Sequence, residues 1–175
     1  MRLAGLRRFV TMALAGGADE AKMIPAKNVV TAEWVWLKCQ FGCDGFNRRL
    51  SCPPFTPTPE RMRRMVGEYR RALIYCYHRP LDLKTRRRMG RLLVAIERAA
   101  FLDGCHKAFG LGAGPCRFCA KCDTGRLCRF PELMRPSMES CGIDVYATCR
   151  NSGIELHVVR SRTERPKYVS LVLLD

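Results

Sequence analysis

The sequence predicts a mixed α+β (α/β) fold. One domain spans 1–175, with a small mixed sheet flanked by helices and two cysteine-rich loops at 39–58 and 112–142. Three observations predict it. Segments with helical apolar spacing alternate with short β-rich runs along the whole chain. A length of 175 residues suits one domain. Hydrophobic residues at 47% and charged residues at 27% describe a chain that packs a core, which excludes intrinsic disorder.

Residues 3–16 read as an amphipathic helix. Leu3, Leu6, Val10, Ala13 and Leu14 fall at helical spacing with Arg7, Arg8 and Thr11 opposite, and Gly16-Gly17 closes the helix. Arg7-Arg8 before a short apolar run also gives this stretch a faint likeness to a signal peptide. The amphipathic spacing accounts for it better, so a reducing cytoplasm is the expected compartment. Extended segments follow around 21–24 and 34–38, the second carrying alternating aromatic and aliphatic residues into Cys39. Residues 39–58 lack periodicity and are rich in Gly, Pro and Cys, which is the composition of a loop built around something.

Thr58-Pro59-Glu60 starts a helix, a capping side chain followed by Pro in the first turn. Met62, Met65, Val66 and Tyr69 form its apolar face. Residues 72–77 (ALIYCY) read as a buried strand. Thr85 opens a second long helix, with Met89, Leu92, Leu93, Ile96 and Ala100 inward and Arg86, Arg87, Arg88 and Arg91 facing water. Residues 107–111 form a short strand that delivers Gly112-Ala113-Gly114-Pro115 into the second cysteine loop. A short helix at 143–150 and two closing strands at 154–159 and 168–174 complete the pattern, for five or six strands in all.

Eleven cysteines are the compositional outlier. A disulfide scaffold is opposed by the odd count, by a chain large enough to bury a core unaided, and by four sulfurs between Cys116 and Cys128. In a reducing compartment, clustered thiols mean metal or redox chemistry. The strongest motif is Cys116-x2-Cys119-x2-Cys122-x5-Cys128. Successive x2 spacings wrap a loop around a cube-shaped cluster, as in the ferredoxin run C-x2-C-x2-C-x3-C-P. Here the last gap is longer and Pro131 does not adjoin Cys128, so the likeness is one of principle. Zinc sites more often use two separated C-x2-C knuckles. The spacing therefore favours a [4Fe-4S] cluster and leaves zinc as the alternative.

A second constellation, Cys39-x3-Cys43-x8-Cys52-Pro53-Pro54, offers three corners of another cube. The competing reading makes Cys39 and Cys43 turn residues beside a one-cluster site. Cys141 is the candidate fourth ligand, expected at a helix start where N–H groups stabilise a thiolate. Gly112, Gly114 and Gly142 are expected to admit the backbone close to a cluster. Cys76 and Cys149 are expected to be core residues and Cys105 a spare thiol near the second loop.

Lys and Arg total 31 against 16 Asp and Glu, a formal charge of +15. Basic residues near the cysteines (Arg48, Arg49, Arg117, Lys121, Arg126, Arg129, Arg135) would favour a reduced cluster. No apolar run approaches the ~20 residues that cross a bilayer, so no membrane partner is expected. No GxxxxGKS, strand–GxGxxG–helix or G-x-S-x-G pattern is present, which removes support for nucleotide-driven and serine chemistry.

The segments KCQFGCDGFNRRLSCPPFTPTPE at 38–60 and GAGPCRFCAKCDTGRLCRFPELMRPSMESCGIDV at 112–145 resemble an uncharacterised family of predicted metal-binding proteins, domain of unknown function 2284. The family pattern falls on Cys39, Cys43, Cys52, Cys116, Cys119, Cys122, Cys128 and Cys141. Asp44 and Phe46 depart from it without touching a ligand position. The resemblance implies metal binding and no particular reaction.

Three function classes follow. The first is an oxygen-sensitive protein of two [4Fe-4S] clusters, an electron carrier or redox accessory subunit that meets an acidic redox protein or a larger enzyme subunit. The second is a redox enzyme or activase in which Cys39, Cys43 and Cys52 leave one iron open. Glu139 and Asp144 would then be nearby acids, although carboxylates flanking a helix start are more simply caps. The third is a zinc-structured module that binds nucleic acid, which the charge suits but no RNA- or DNA-reading motif supports.

Overall fold

The computed structural model describes residues 3–161 and 163–175, so Met1 and Arg2 of the leader-like stretch lie outside the described residues. Apolar residues three and four apart make α1 (Leu3–Ala15), and β1 (Glu20–Pro25) follows the turn at Gly16-Gly17. Next come α2 (Glu33–Gly42), α3 (Pro59–Val66), β2 (Arg71–His78) and α4 (Leu83–Leu102). Thr58 caps α3 by accepting from the Arg61 N–H, with Pro59 in the first turn as the sequence predicts. The chain closes with β3 (Phe109–Leu111), α5 (Val145–Asn151) and β4 (Lys167–Leu173).

The four strands form one sheet in the order β1-β2-β4-β3. The mixed α+β class is as expected. Strand direction is not mixed: every ladder is antiparallel, and the parallel element is a lone bridge between Gly112 and Ser137. Period-two alternation divides β2 between two cores. Leu73, Tyr75 and Tyr77 face α1 and α4, packing with Phe9, Leu93 and Ile96. Ala72, Ile74 and Cys76 face the opposite core, built from α3, α5 and the turns that carry cysteines. Because both faces are covered, β2 reads as a continuous apolar run, and each buried large side chain contributes roughly 1.5–3 kcal/mol.

Two expected strands are absent. Residues 34–38 lie inside α2. The alternation of Trp34, Val35, Trp36 and Leu37 imitates a strand, and Ala32 at the N-cap makes no side-chain hydrogen bond that would announce a helix. Residues 154–159 are irregular. The hairpin they would form with β4 has no room, because β2 and β3 already occupy both edges of β4.

Arg71 ties the start of β2 to Asp175, its Nε donating to Oδ1 at 2.8 Å and its Nη2 pairing with Oδ2. The guanidinium holds the Asp175 carboxyl below its usual range. A lowered folded pKa contributes stability above the ordinary carboxylate value of about 3.9, and that stability is lost as the pH falls through the folded value. Arg71→Ala is expected to lower unfolding free energy at pH 7 by about 1–3 kcal/mol. Urea melts at acid pH should show wild type and variant converging.

Candidate metal centre

The first set of sulfurs is built by α2 and the turns after it. Cys39 lies in α2 and Cys43 caps its C-terminal end. Asn47, left-handed at φ 54°, donates its N–H to the Pro53 carbonyl at 2.8 Å, and the Cys52 N–H donates to Arg49 at 2.9 Å. These bonds fold Cys52 back over Cys43. Gly45 stands between them: a Cβ there would lie 3.2 Å from Cys52 Sγ and 3.5 Å from Cys43 Sγ. Its N–H points at Cys43 Sγ at 3.4 Å.

Cys141 joins this set from a single 3-10 turn, Glu139–Cys141. The Cys39 thiol points to the Glu139 carbonyl at 3.9 Å, and the Thr56 hydroxyl donates to the Ser140 carbonyl. Cys141 therefore does not stand at a helix start. α5 begins at Val145 under an Asp144 cap, whose carboxylate accepts from the Ala147 N–H at 2.9 Å. No helix dipole stabilises the Cys141 thiolate. Burial pushes this thiol up to about 12, with Glu139, Cys39 and Cys52 adding to the rise. Burial, then the charges of Cys43 and Cys52, push Cys39 up to about 11.

Gly142 supplies the left-handed residue (φ 73°) that turns the chain away from Cys141. A Cβ on it would stand 2.4 Å from Pro59 Cγ and 2.9 Å from Pro59 Cα. Gly142→Ala is expected to cost about 2–4 kcal/mol from overpacking and left-handed strain combined. A thermal melt checks it, and the loss should exceed that of Gly42→Ala, where a Cβ meets nothing.

The second set hangs between β3 and α4. The Gly112 N–H donates to Pro136 at 2.8 Å and its carbonyl accepts from Met138 at 3.1 Å, which closes the neck of the loop. Gly114 (φ 73°) then turns the chain into Pro115-Cys116. Phe118 lies on α4 at Gly90, where a Cβ would be 2.9 Å from its ring. Arg87 Nε donates to the Arg117 carbonyl at 3.0 Å, and the Arg91 guanidinium sits 5.5 Å from the Phe118 centroid. The α4 arginines expected to face water thus include two that hold the loop, and Arg86 lies 5.2 Å over the Tyr168 ring. Cys116, Cys119, Cys122 and Cys128 line one small cavity with Phe130 and Met134. Burial, then the charges of Cys128, Cys119 and Cys122, raise the Cys116 thiol despite a hydrogen bond from the Phe118 backbone.

The two sets touch through residues 49–51. The Leu50 N–H points at Cys122 Sγ at 3.5 Å, and the Cys116 N–H donates to Ser51 Oγ at 3.1 Å. Arg49 Nη1 donates to the Cys116 carbonyl at 3.3 Å. Arg49 and Arg117 also draw the Cys52 thiol down against the larger upward effect of burial. Arg117 Nε is buried with no partner among the described residues. Four thiols per set, N–H groups aimed at sulfur and an orphaned cationic N–H between them form a donor set suited to anionic metal–sulfur centres. Among the described residues no three His, Cys, Asp or Glu side chains are arranged to hold one metal ion.

Other expected basic neighbours have different roles. Arg135 is held by Glu97, and Arg126 lies 3.7 Å from Asp123. Arg48 and Lys121 line an open cavity of about 470 Å³ between the loops. All eleven cysteines are free thiols. Cys76 and Cys149 share the α5-side core, and burial pushes them up to about 12 and about 11. Cys105 lies in the α1–α4 core and not beside the second loop. Glycine inside a helix marks close approach; Gly90 carried that signal in the sequence, whereas Ser51 and Leu50 carried none.

Among the described residues, no helix is long and apolar enough to cross a membrane. Comparison with curated proteins and with solved structures gives no match. Residues 22–174 match the model of the family described as predicted metal-binding protein, domain of unknown function 2284, and the chain belongs to that family.

Proposed function

We propose that this metal-binding protein holds two [4Fe-4S] clusters in series and passes single electrons between an acidic redox partner and a larger enzyme. The observation that carries the reading is the 49–51 bridge, which fastens the loop of the first sulfur set onto the Cys116 backbone and the Cys122 sulfur of the second. Two bound clusters would supply reversible one-electron storage at two nearby points. Cys39, Cys43, Cys52 and Cys141 would hold one centre, and Cys116, Cys119, Cys122 and Cys128 the other. With four thiols each, neither centre needs a ligand from outside the chain.

The chain's own groups set the conditions. N–H donation from Gly45 and Leu50 to sulfur favours the more electron-rich state. Arg49 and Arg117 place positive charge at the junction of the two sets. The formal charge of +15 draws an acidic partner and makes association fall with ionic strength. Anaerobic purification with iron and acid-labile sulfide counts tests the proposal. About eight of each per chain supports two clusters. Zinc without sulfide would overturn it.

A further inference from the structure

The geometry points to a binding site for a small aromatic anion in the open cavity of about 280 Å³ between α2, α5 and β4. This inference goes beyond the metal reading: of the four thiols in the first set only Cys39 lines the space, and most of the other walls come from α2, α5 and β4. The space lies just below the usual lower size of small-molecule sites. Its walls are mostly apolar, with Val35, Ile143, Leu156 and Val169 among them. Polar groups are few, and that combination characterises ligand sites.

The aromatic preference comes from the mouth. Trp34 and Tyr146 line the cavity yet remain 43% and 41% exposed. Two rings left open at the entrance of an apolar space offer flat faces for a planar ligand to stack on.

The charge preference comes from two lysines in the wall. Lys167 Nζ is engaged, donating to the Glu155 carbonyl at 2.7 Å and lying 3.6 Å from Glu20. Lys38 makes no ion pair among the described residues, and its ammonium stands 5.1 Å from the Trp34 ring. A cation lying over the Trp34 indole fits a ligand whose anionic group meets Lys38 and whose ring stacks on Tyr146. Glu139, also in the wall, adds one polar group. Cys39 lines the same space, so an occupant would lie against the first sulfur set.

The test uses one ring with three charges: 2-naphthoate, 2-naphthol and 2-naphthylmethylammonium. Each is titrated into the protein as purified, by calorimetry and by ligand-observed saturation-transfer NMR, with metal content measured separately. Naphthoate is expected to bind at least fivefold more tightly than the ammonium probe. Lys38→Ala should weaken naphthoate at least fivefold while leaving naphthol unchanged. Ile143→Trp, which fills the cavity, should abolish binding of both. Should Ile143→Trp fail to fold, Val35→Phe serves in its place and is read in the same way. Equal affinity for the three probes, or naphthoate binding that survives a filled cavity, would overturn the inference. The metal count decides the cluster reading separately from this result.

Discussion

Cys122→Ser is expected to halve the iron and sulfide of the anaerobically purified protein, from about eight of each per chain to about four. Cys122 is the sulfur that the Leu50 N–H reaches and one of the four lining the cavity at Phe118 and Phe130. Serine keeps the size of the side chain but replaces a soft thiolate with a hydroxyl that holds iron poorly. The first set draws its sulfurs from α2, the turns to Cys52 and the 3-10 turn at Cys141, none of which contains Cys122. Its metal should survive. The reciprocal variant, Cys43→Ser, should remove the other half. Colorimetric iron and sulfide assays alongside low-temperature electron paramagnetic resonance of the reduced protein read both outcomes. Losing all metal from either variant would show the sets are not separate centres. Full retention in both would remove these sulfurs from the ligand sets.

Glu97→Ala is expected to be among the most destabilising single changes outside the sulfur sets, at about 3–5 kcal/mol. The Glu97 carboxylate lies on α4 and accepts three hydrogen bonds. Arg135 donates from Nε at 2.7 Å and from Nη2 at 2.5 Å, and the Gly110 N–H donates at 2.7 Å. The two side chains are only 13% and 17% exposed, so the pair is shielded from salt and water. Pairing with Glu97 raises the Arg135 pKa further. Alanine would leave the half-buried Arg135 charge without its counter-ion, only Nη1 keeping a partner in the Met134 carbonyl, and a strand N–H without an acceptor. The damage should travel, because Gly110 is in β3 and Arg135 ends the second cysteine loop. We expect Glu97→Ala to lower the urea midpoint and to speed metal loss from the second set over the first, measured by chelator competition. Glu97→Gln, which keeps an acceptor but removes the charge, should cost less.

Much of the molecule was legible in the chain. Helix α3 declared itself through Thr58-Pro59, and β2 and β4 through β-rich runs bounded by polar residues, because local backbone preferences and burial agree there. The misreadings occurred where they disagree. α2 is a helix written in β-favouring residues, and it leaves Phe41 79% exposed, so neither propensity nor amphipathicity marked it. Residues 154–159 carry strand-like alternation, but neighbours had already filled the available edges. Arg87 and Arg91 looked like a solvated face because their partner, the loop at Phe118, lies about 30 residues further along the chain.

The sequence alone determined that thiols cluster in two stretches of the chain on an α+β frame, since the spacing of Cys116, Cys119 and Cys122 is a local property of a loop. It named Cys141 as the candidate fourth sulfur of the first set, but not the turn that carries it toward Cys39, nor that the loops meet. Those are outcomes of packing: α2 settles on the turn at Glu139–Cys141, and Leu50 and Ser51 reach across to Cys122 and Cys116. Contacts between residues 65 and 100 positions apart depend on how two cores cover one sheet, and no local pattern encodes that arrangement.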